Sequence, residues 1–210
     1  MNLFTDMCIL IFYSDRTSQK NVRVLEIISK KEENKIIICY YILNENLPKW
    51  IERQKVILEE VVKKIKNSSY EVGTSEKAKN VLFNQDFTRI QKLLAVYSLS
   101  KDKSQFCELL VKNQTDMFQR INYFLREIVH KNVVPINEID PQLKSAIFTF
   151  TNNHSDAMTL ASGVQYHQKE KVVLLTGDKK DWTKENLEWA LQDCSPLRKT
   201  YPHLPQIQQI

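Results

Sequence analysis

Glycine is nearly missing from this chain: Gly73, Gly163 and Gly177 are the three in 210 residues. That scarcity excludes two classes of nucleotide site, because neither the G-x-x-x-x-G-K-[ST] phosphate loop nor the G-x-G-x-x-G dinucleotide turn can be built from them. The four cysteines, Cys8, Cys39, Cys107 and Cys194, are far apart and contain no C-x-x-C pair. Cys8 and Cys39 sit in apolar surroundings, so the expectation is buried free thiols rather than disulfides or zinc ligands. The longest apolar run near the amino end, Met7–Tyr13, falls far short of the ~20 residues that span a bilayer. Asp6 precedes it where a signal peptide would carry basic residues. Repeats, low-complexity tracts and long Pro/Gly/Ser linkers are missing too. A net charge of +5 permits a polyanionic partner without requiring one. The composition, 42% hydrophobic and 26% charged, is that of an ordinary globular chain, and the expectation is a cytoplasmic one with no membrane partner.

What is present is a series of short apolar runs separated by helical periodicity. Val172–Thr176, closed by Gly177-Asp178, reads as a strand buried on both faces. Lys35–Cys39 (KIIIC) reads as another, and residues 2–5 as a first strand ending at Asp6. Residues 18–31 place Val24, Leu25 and Ile28 at helical spacing, with Ser18 as the candidate N-cap. Tyr40–Lys66 is helical in pattern, with a kink or break expected near Leu47 because Pro48 follows. From Asn67 to Asn132 the pattern is helical and offers no strand. Its clearest piece, Ser104–His130, lines up Met117, Ile121, Phe124, Leu125 and Ile128. Val133–Pro135 is a candidate extended piece. Pro141–Thr151 and His154–Gln168 read as helices, the second capped by Asn153 or Ser155. Asp181–Asp193 is expected to be a helix burying Leu187, Trp189 and Leu191, and the tail HLPQIQQI an edge strand that tolerates Pro205. Strands alternating with helices predict an α/β fold with a central, mostly parallel sheet flanked by helices.

Four acids share one position in that scheme. Asp6 follows the first strand, Glu45 lies just past the second, Asp156 opens a helix and Asp178 follows a later strand. In a parallel sheet all carboxyl ends point to one edge, so these acids can converge there. Each also has a structural alternative: Asp6 as a helix cap, Glu45 as a solvated helix residue, Asp156 favoured by a helix dipole, Asp178 as a turn residue. His154, two residues from Asp156, is read as a capping or surface residue.

Three blocks in order resemble the PIN-domain nucleases, the family that includes the toxin ribonucleases of toxin–antitoxin pairs. These are LFTDMCILIFYSDR, KIIICYYILNENL and SDAMTLASGVQYHQKEKVVLLTGDKKDW. The resemblance covers about residues 1–66 and 133–210, and implies a single PIN-like domain over 1–210 with a helical insertion at about 67–132. It implies metal-binding acids at Asp6, Glu45, Asp156 and Asp178, the family's hydroxyl at Thr176, and an auxiliary acid at Asp181. The chain departs from the family at Met7 and Cys8, where polar residues usually follow the first Asp and help orient it. Asn152 and Asn153 are the candidate substitutes. RNA, with DNA as the alternative, is the implied partner, along with an antitoxin or other protein and a second copy of the chain as a homodimer.

Clustered carboxylates without His or Cys suit hard cations, Mg²⁺ or Mn²⁺, rather than zinc. The chemistry this motivates is hydrolysis of a phosphodiester, with Lys179 and Lys180 beside Asp178 placed to hold substrate phosphate. Two rival readings carry other expectations. One is a catalytically weak PIN-like binding module, which would show no metal-dependent stabilisation. The other is a metal-dependent hydrolase of small phosphate esters, disfavoured by the lack of a Gly-rich phosphate cradle.

Overall fold

The computed structural model describes residues 1–30, 33–192 and 194–210. Lys31, the last residue of the expected 18–31 helix, and Asp193, at the end of the 181–193 helix, lie outside the described residues. Among the described residues five strands form one sheet: β1 (Asn2–Thr5), β2 (Lys35–Cys39), β3 (Val129–Val133), β4 (Val173–Thr176) and β5 (Gln206–Gln209). Their order is β3-β2-β1-β4-β5, and every neighbouring pair is parallel.

The three inner strands are the apolar ones. Leu3 and Phe4 of β1, Ile36–Cys39 of β2, and Leu174 and Leu175 of β4 are buried, as strands covered on both faces must be. The register sets Phe4 beside Ile37 on one side and Leu174 on the other. From β1 the chain adds β2 and then β3 on one side, and afterwards β4 and β5 on the other. The reversal falls between β1 and β4, the kind of switch point at which open parallel sheets leave a crevice outside their carboxyl ends.

The chain divides into two compact units, Met1–Asn46 with Gln119–Ile210, and Leu47–Phe118. The first holds the sheet with α1 (Met7–Ser14), α2 (Asn21–Ser29), α7 (Pro141–Thr151), α8 (His154–His167), α9 (Lys184–Gln192) and α10 (Ser195–Thr200). The second is helical: α3 (Leu47–Lys66), α4 (Glu76–Val81), α5 (Asn84–Leu99) and most of α6 (Lys103–Tyr123). Its core is Val56, Ile57, Val61, Ala78, Leu82 and Ile90. These bounds differ from the 67–132 insertion read from the sequence: the helical unit takes in α3 and ends at Phe118.

Several local expectations need correction. Residues 129–132, placed in the strandless helical stretch, join Val133, the start of the candidate extended piece, in β3. Ser18 does not cap α2: the N-cap is Lys20, which makes no side-chain cap bond, while Ser18 Oγ accepts from the Lys20 N–H at 3.3 Å. Trp189 is exposed while Leu187 and Leu191 are buried, because a residue two positions along a helix turns about 200° to the other face. The break expected at Pro48 takes the form of a π-helical turn, Ile42–Asn46, just before α3. Pro48 has no N–H to donate and its ring crowds the carbonyl one turn back, and a widened turn relieves both. No helix among the described residues is long and apolar enough to cross a membrane.

Candidate active site

Asp6 stands at the β1–α1 junction, 5% exposed. Its backbone N–H continues the sheet by donating to the Leu175 carbonyl at 3.2 Å. Its Oδ1 caps α1 by accepting from the Ile9 N–H at 3.1 Å, and its Oδ2 accepts from the Thr176 hydroxyl at 2.5 Å. Thr176 Oγ1 in turn accepts from the Asp178 N–H at 2.9 Å. One hydroxyl at the end of β4 therefore ties the acid after β1 to the loop carrying the acid after β4. Asp178 Oδ1 accepts from the N–H groups of Lys180 and Asp181 at 2.7 and 3.0 Å, which folds that loop over itself. Trp182, fully buried, fastens its far end.

Asp156 occupies the first turn of α8, whose N-cap is Asn153 accepting from the Ser155 N–H at 2.9 Å. Beside it the Ser155 hydroxyl bonds to Asn46 Oδ1 at 2.5 Å, drawing the chain beyond β2 against the start of α8. Among the described residues no hydrogen bond reaches the Asp156 carboxylate. Burial pushes its pKa up to about 6, and the charges of Asp178, Asp6 and Asp181 push the same way. Asp6 is also raised to about 6 by burial, against bonds from Thr176, Ile9, Cys8 and Gly177 that favour its charged form. The structure thus brings Asp178, Asp6 and Asp181 close enough to oppose the ionisation of Asp156. Glu45, half-buried in the π turn, is not among the acids that act on Asp156. Lys179 and Lys180 are exposed on the Asp178 loop. His154 is exposed and edge-on to the Tyr41 ring at 5.9 Å.

Cys8 answers the departure noted at positions 7 and 8. Burial, Asp6, Asp156 and Asp178 hold its thiol far above the ordinary range, so it stays protonated and hydrogen-bonds to Asp6. It supplies the orienting donor that a hydroxyl or amide would give. Asn152 does not: it is the left-handed C-cap of α7.

Three contributors escape sequence reasoning. Asn46 and Ser155 meet only through the fold. Lys20 stacks over Phe12 at 4.8 Å and donates from Nζ to the Gly177 carbonyl at 3.1 Å, setting a cation against the acidic loop. Gly177 is pressed so close to α1 that a Cβ there would lie 2.4 Å from the Phe12 ring and 3.1 Å from Cys8 Cβ. Gly177→Ala should therefore push the loop off Phe12, costing roughly 1–3 kcal/mol and weakening divalent-cation affinity. Urea denaturation and a Mn²⁺-dependent thermal shift would measure the two effects, and unchanged values of both would refute the packing argument.

Among the described residues no three His, Cys, Asp or Glu side chains close around a point in the manner of a preformed metal cage. The donors fit a different kind of ion. They are carboxylate oxygens, one of them without a hydrogen-bond donor, in a field that disfavours further negative charge. Mg²⁺ is usually held by one or two carboxylates and keeps much of its water. A raised carboxyl pKa means that the folded state holds more protons than the unfolded chain between the ordinary value near 3.8 and about 6. Stability from these groups is greatest below that window and falls as pH rises through it. Two such shifts, coupled and not fully additive, predict a loss of about 2–4 kcal/mol by pH 7. Urea denaturation in EDTA across that range checks this, and a flat profile would contradict it.

Comparison with protein-family models, curated proteins and solved structures finds no match to this chain.

Proposed function

We propose that the crevice between the carboxyl ends of β1 and β4 hydrolyses phosphodiesters, with RNA as substrate and Mg²⁺ or Mn²⁺ as cofactor. One observation carries the reading: at the switch point of a parallel sheet, Asp156 has no hydrogen-bond donor among the described residues and is opposed by Asp178, Asp6 and Asp181. A buried cluster of like charges weakens the fold unless a cation or a proton neutralises it. The resemblance of the three acid-bearing blocks to PIN-domain nucleases supports the same conclusion.

Asp6 and Asp156 are assigned as the primary cation ligands. Asp178 binds directly or through water, and Glu45 and Asp181 are auxiliary acids. When bound, the cation supplies a water of lowered pKa and neutralises charge developing on the phosphate. Thr176 holds the Asp6 carboxylate and the Asp178 backbone in place by donating to Asp6 Oδ2 and accepting from the Asp178 N–H. Lys179 and Lys180, and the anchored Lys20, offer positive charge to the substrate backbone, an attraction that weakens as salt rises.

The test is cleavage of a labelled single-stranded RNA and its matching DNA in Mn²⁺, in Mg²⁺ and in EDTA. Metal-dependent cutting of RNA, abolished by EDTA, is the expected result. No cutting of either strand, together with no metal-induced stabilisation, would turn the assignment to a binding module. Turnover of phosphate monoesters with RNA left intact would turn it to a small-phosphate hydrolase.

A further inference from the structure

A second cavity lies at the opposite edge of the same sheet. It has a volume of about 770 Å³ and is bordered by Asn2, Val173 and Gln206, the first residues of β1, β4 and β5. It therefore opens at the amino ends of the strands, whereas Asp6 and Asp178 follow the carboxyl ends. Four basic side chains line it: His167 at the end of α8, Lys171 before β4, Lys184 at the start of α9, and His203 before β5. Among its described lining residues the acid is Glu188, engaged by Lys184 at 3.3 Å. That pair is exposed and so weakly coupled that Lys184 can exchange it for a ligand anion.

The histidines are not equivalent. His167 is pinned through Nδ1 against the main chain of Val172, 3.1 Å from its N–H and 3.0 Å from its carbonyl. Among the described residues its Nε2 has no hydrogen-bond partner. Burial pushes the ring towards its neutral form, and the nearby His203 and Lys171 charges push the same way. His203 is exposed, with its carbonyl accepting from Gln168 Nε2 at 2.6 Å, so its ring stands on a fixed piece of backbone. Pro202 and Leu204 on either side give the same cavity an apolar wall.

We propose that this cavity binds a phosphomonoester carrying a planar or apolar group, a mononucleotide in size, with its phosphate on Lys171, Lys184 and His203 and its base against the apolar wall. Several cationic side chains lining one cavity suit a dianionic phosphate, and the apolar residues beside them reward a ligand larger than phosphate alone. The volume lies within the range of about 300–1,000 Å³ typical of small-ligand sites. The site is separate from the carboxylate crevice and does not depend on the phosphodiester reading.

Calorimetric titration of the full chain with AMP, adenosine and inorganic phosphate, at low salt in EDTA, tests it. AMP should bind one to one with a Kd of about 0.1 mM or tighter, and both adenosine and phosphate more weakly. The Lys171→Gln/His203→Gln double variant should lose at least about tenfold in AMP affinity with an unchanged ligand-free Tm. If that variant fails to fold, Lys184→Gln, on the exposed start of α9, makes the same comparison. Asp156→Asn should bind AMP as the wild type does. Absence of AMP binding, or undiminished binding by the cavity variants, would overturn the site. Loss of binding in Asp156→Asn would relocate it to the acid crevice. Equal affinity for phosphate and AMP would overturn the role of the apolar wall.

Discussion

Asp156→Asn should abolish metal-dependent cleavage and, without metal, make the protein more stable. The two halves have one cause. Among the described residues no hydrogen bond reaches Asp156, and Asp178, Asp6 and Asp181 oppose its charge, so its negative charge is a cost to the metal-free fold. Asparagine keeps the shape and removes the charge. With the pKa raised to about 6 and the side chain partly exposed, the expected gain at pH 8 in EDTA is roughly 1–2 kcal/mol. The same change removes an anionic oxygen from the proposed cation site, and activity should fall about 10²–10⁴-fold. Mn²⁺ should raise the Tm of the wild type more than that of the variant. Cleavage assays beside denaturation curves make the test two-sided. A variant that loses both activity and stability would mark Asp156 as a structural residue, and one that keeps activity would remove it from the site.

How much of this was legible depends on where each residue's partners lie in the chain. β1, β2 and β4 could be read because strands buried on both faces must be continuous apolar runs, and Lys35–Cys39 was placed to the residue. β3 could not. Its sequence, Val129-His130-Lys131-Asn132-Val133, belongs to an edge strand with three polar residues between its apolar ends, and it follows directly on a helical stripe ending at Ile128. Asp6, Asp156 and Asp178 were visible because each sits at the end of an element that the hydrophobic pattern marks. Lys20 was not, because its bond to Gly177 spans 157 positions and nothing local distinguishes it from any surface lysine. Asn46 and Ser155 meet across 109 positions for the same reason. Pattern locates elements and their ends; a hydroxyl or ammonium that closes a site from another element is located only by the fold.

The same limit hid the most consequential polar residue of the helical unit. Glu60, in the middle of α3, has no neighbour in sequence that marks it out, and it is 0% exposed. Its Oε1 accepts from Lys63 Nζ at 3.0 Å and from Ser75 Oγ at 2.8 Å, its Oε2 from the Gly73 N–H at 2.8 Å, and both oxygens from the Tyr70 hydroxyl at 3.0 Å. Burial pushes its carboxyl up, but the bonds from Gly73, Ser75, Lys63 and Tyr70 outweigh that and hold it below its ordinary value. Every donor but Lys63 comes from the 70–75 segment, so this carboxylate gathers the second half of the connection from α3 to α4, while Lys64 Nζ holds it by donating to the Ser68 and Tyr70 carbonyls at 2.6 and 2.9 Å. Ser75 then passes the order on: its oxygen also caps α4 by accepting from the Ala78 N–H at 3.2 Å. Gly73 takes a φ of +85°, which brings its N–H to Glu60 and leaves no room for a Cβ, since one would lie 2.4 Å from the Phe87 ring. Glu60→Leu fills the space but leaves the Gly73 N–H and the two hydroxyls without their acceptor. The expected loss is about 3–5 kcal/mol, against about 1–3 kcal/mol for Glu60→Gln, which retains one acceptor. Urea denaturation gives the magnitude, and hydrogen exchange should show protection lost first across residues 67–81. A Glu60/Ser75 double-mutant cycle should return a coupling of about 0.5–3 kcal/mol. A loss below 1 kcal/mol with exchange unchanged in that segment would mean that the helical core, not this carboxylate, holds the connection in place.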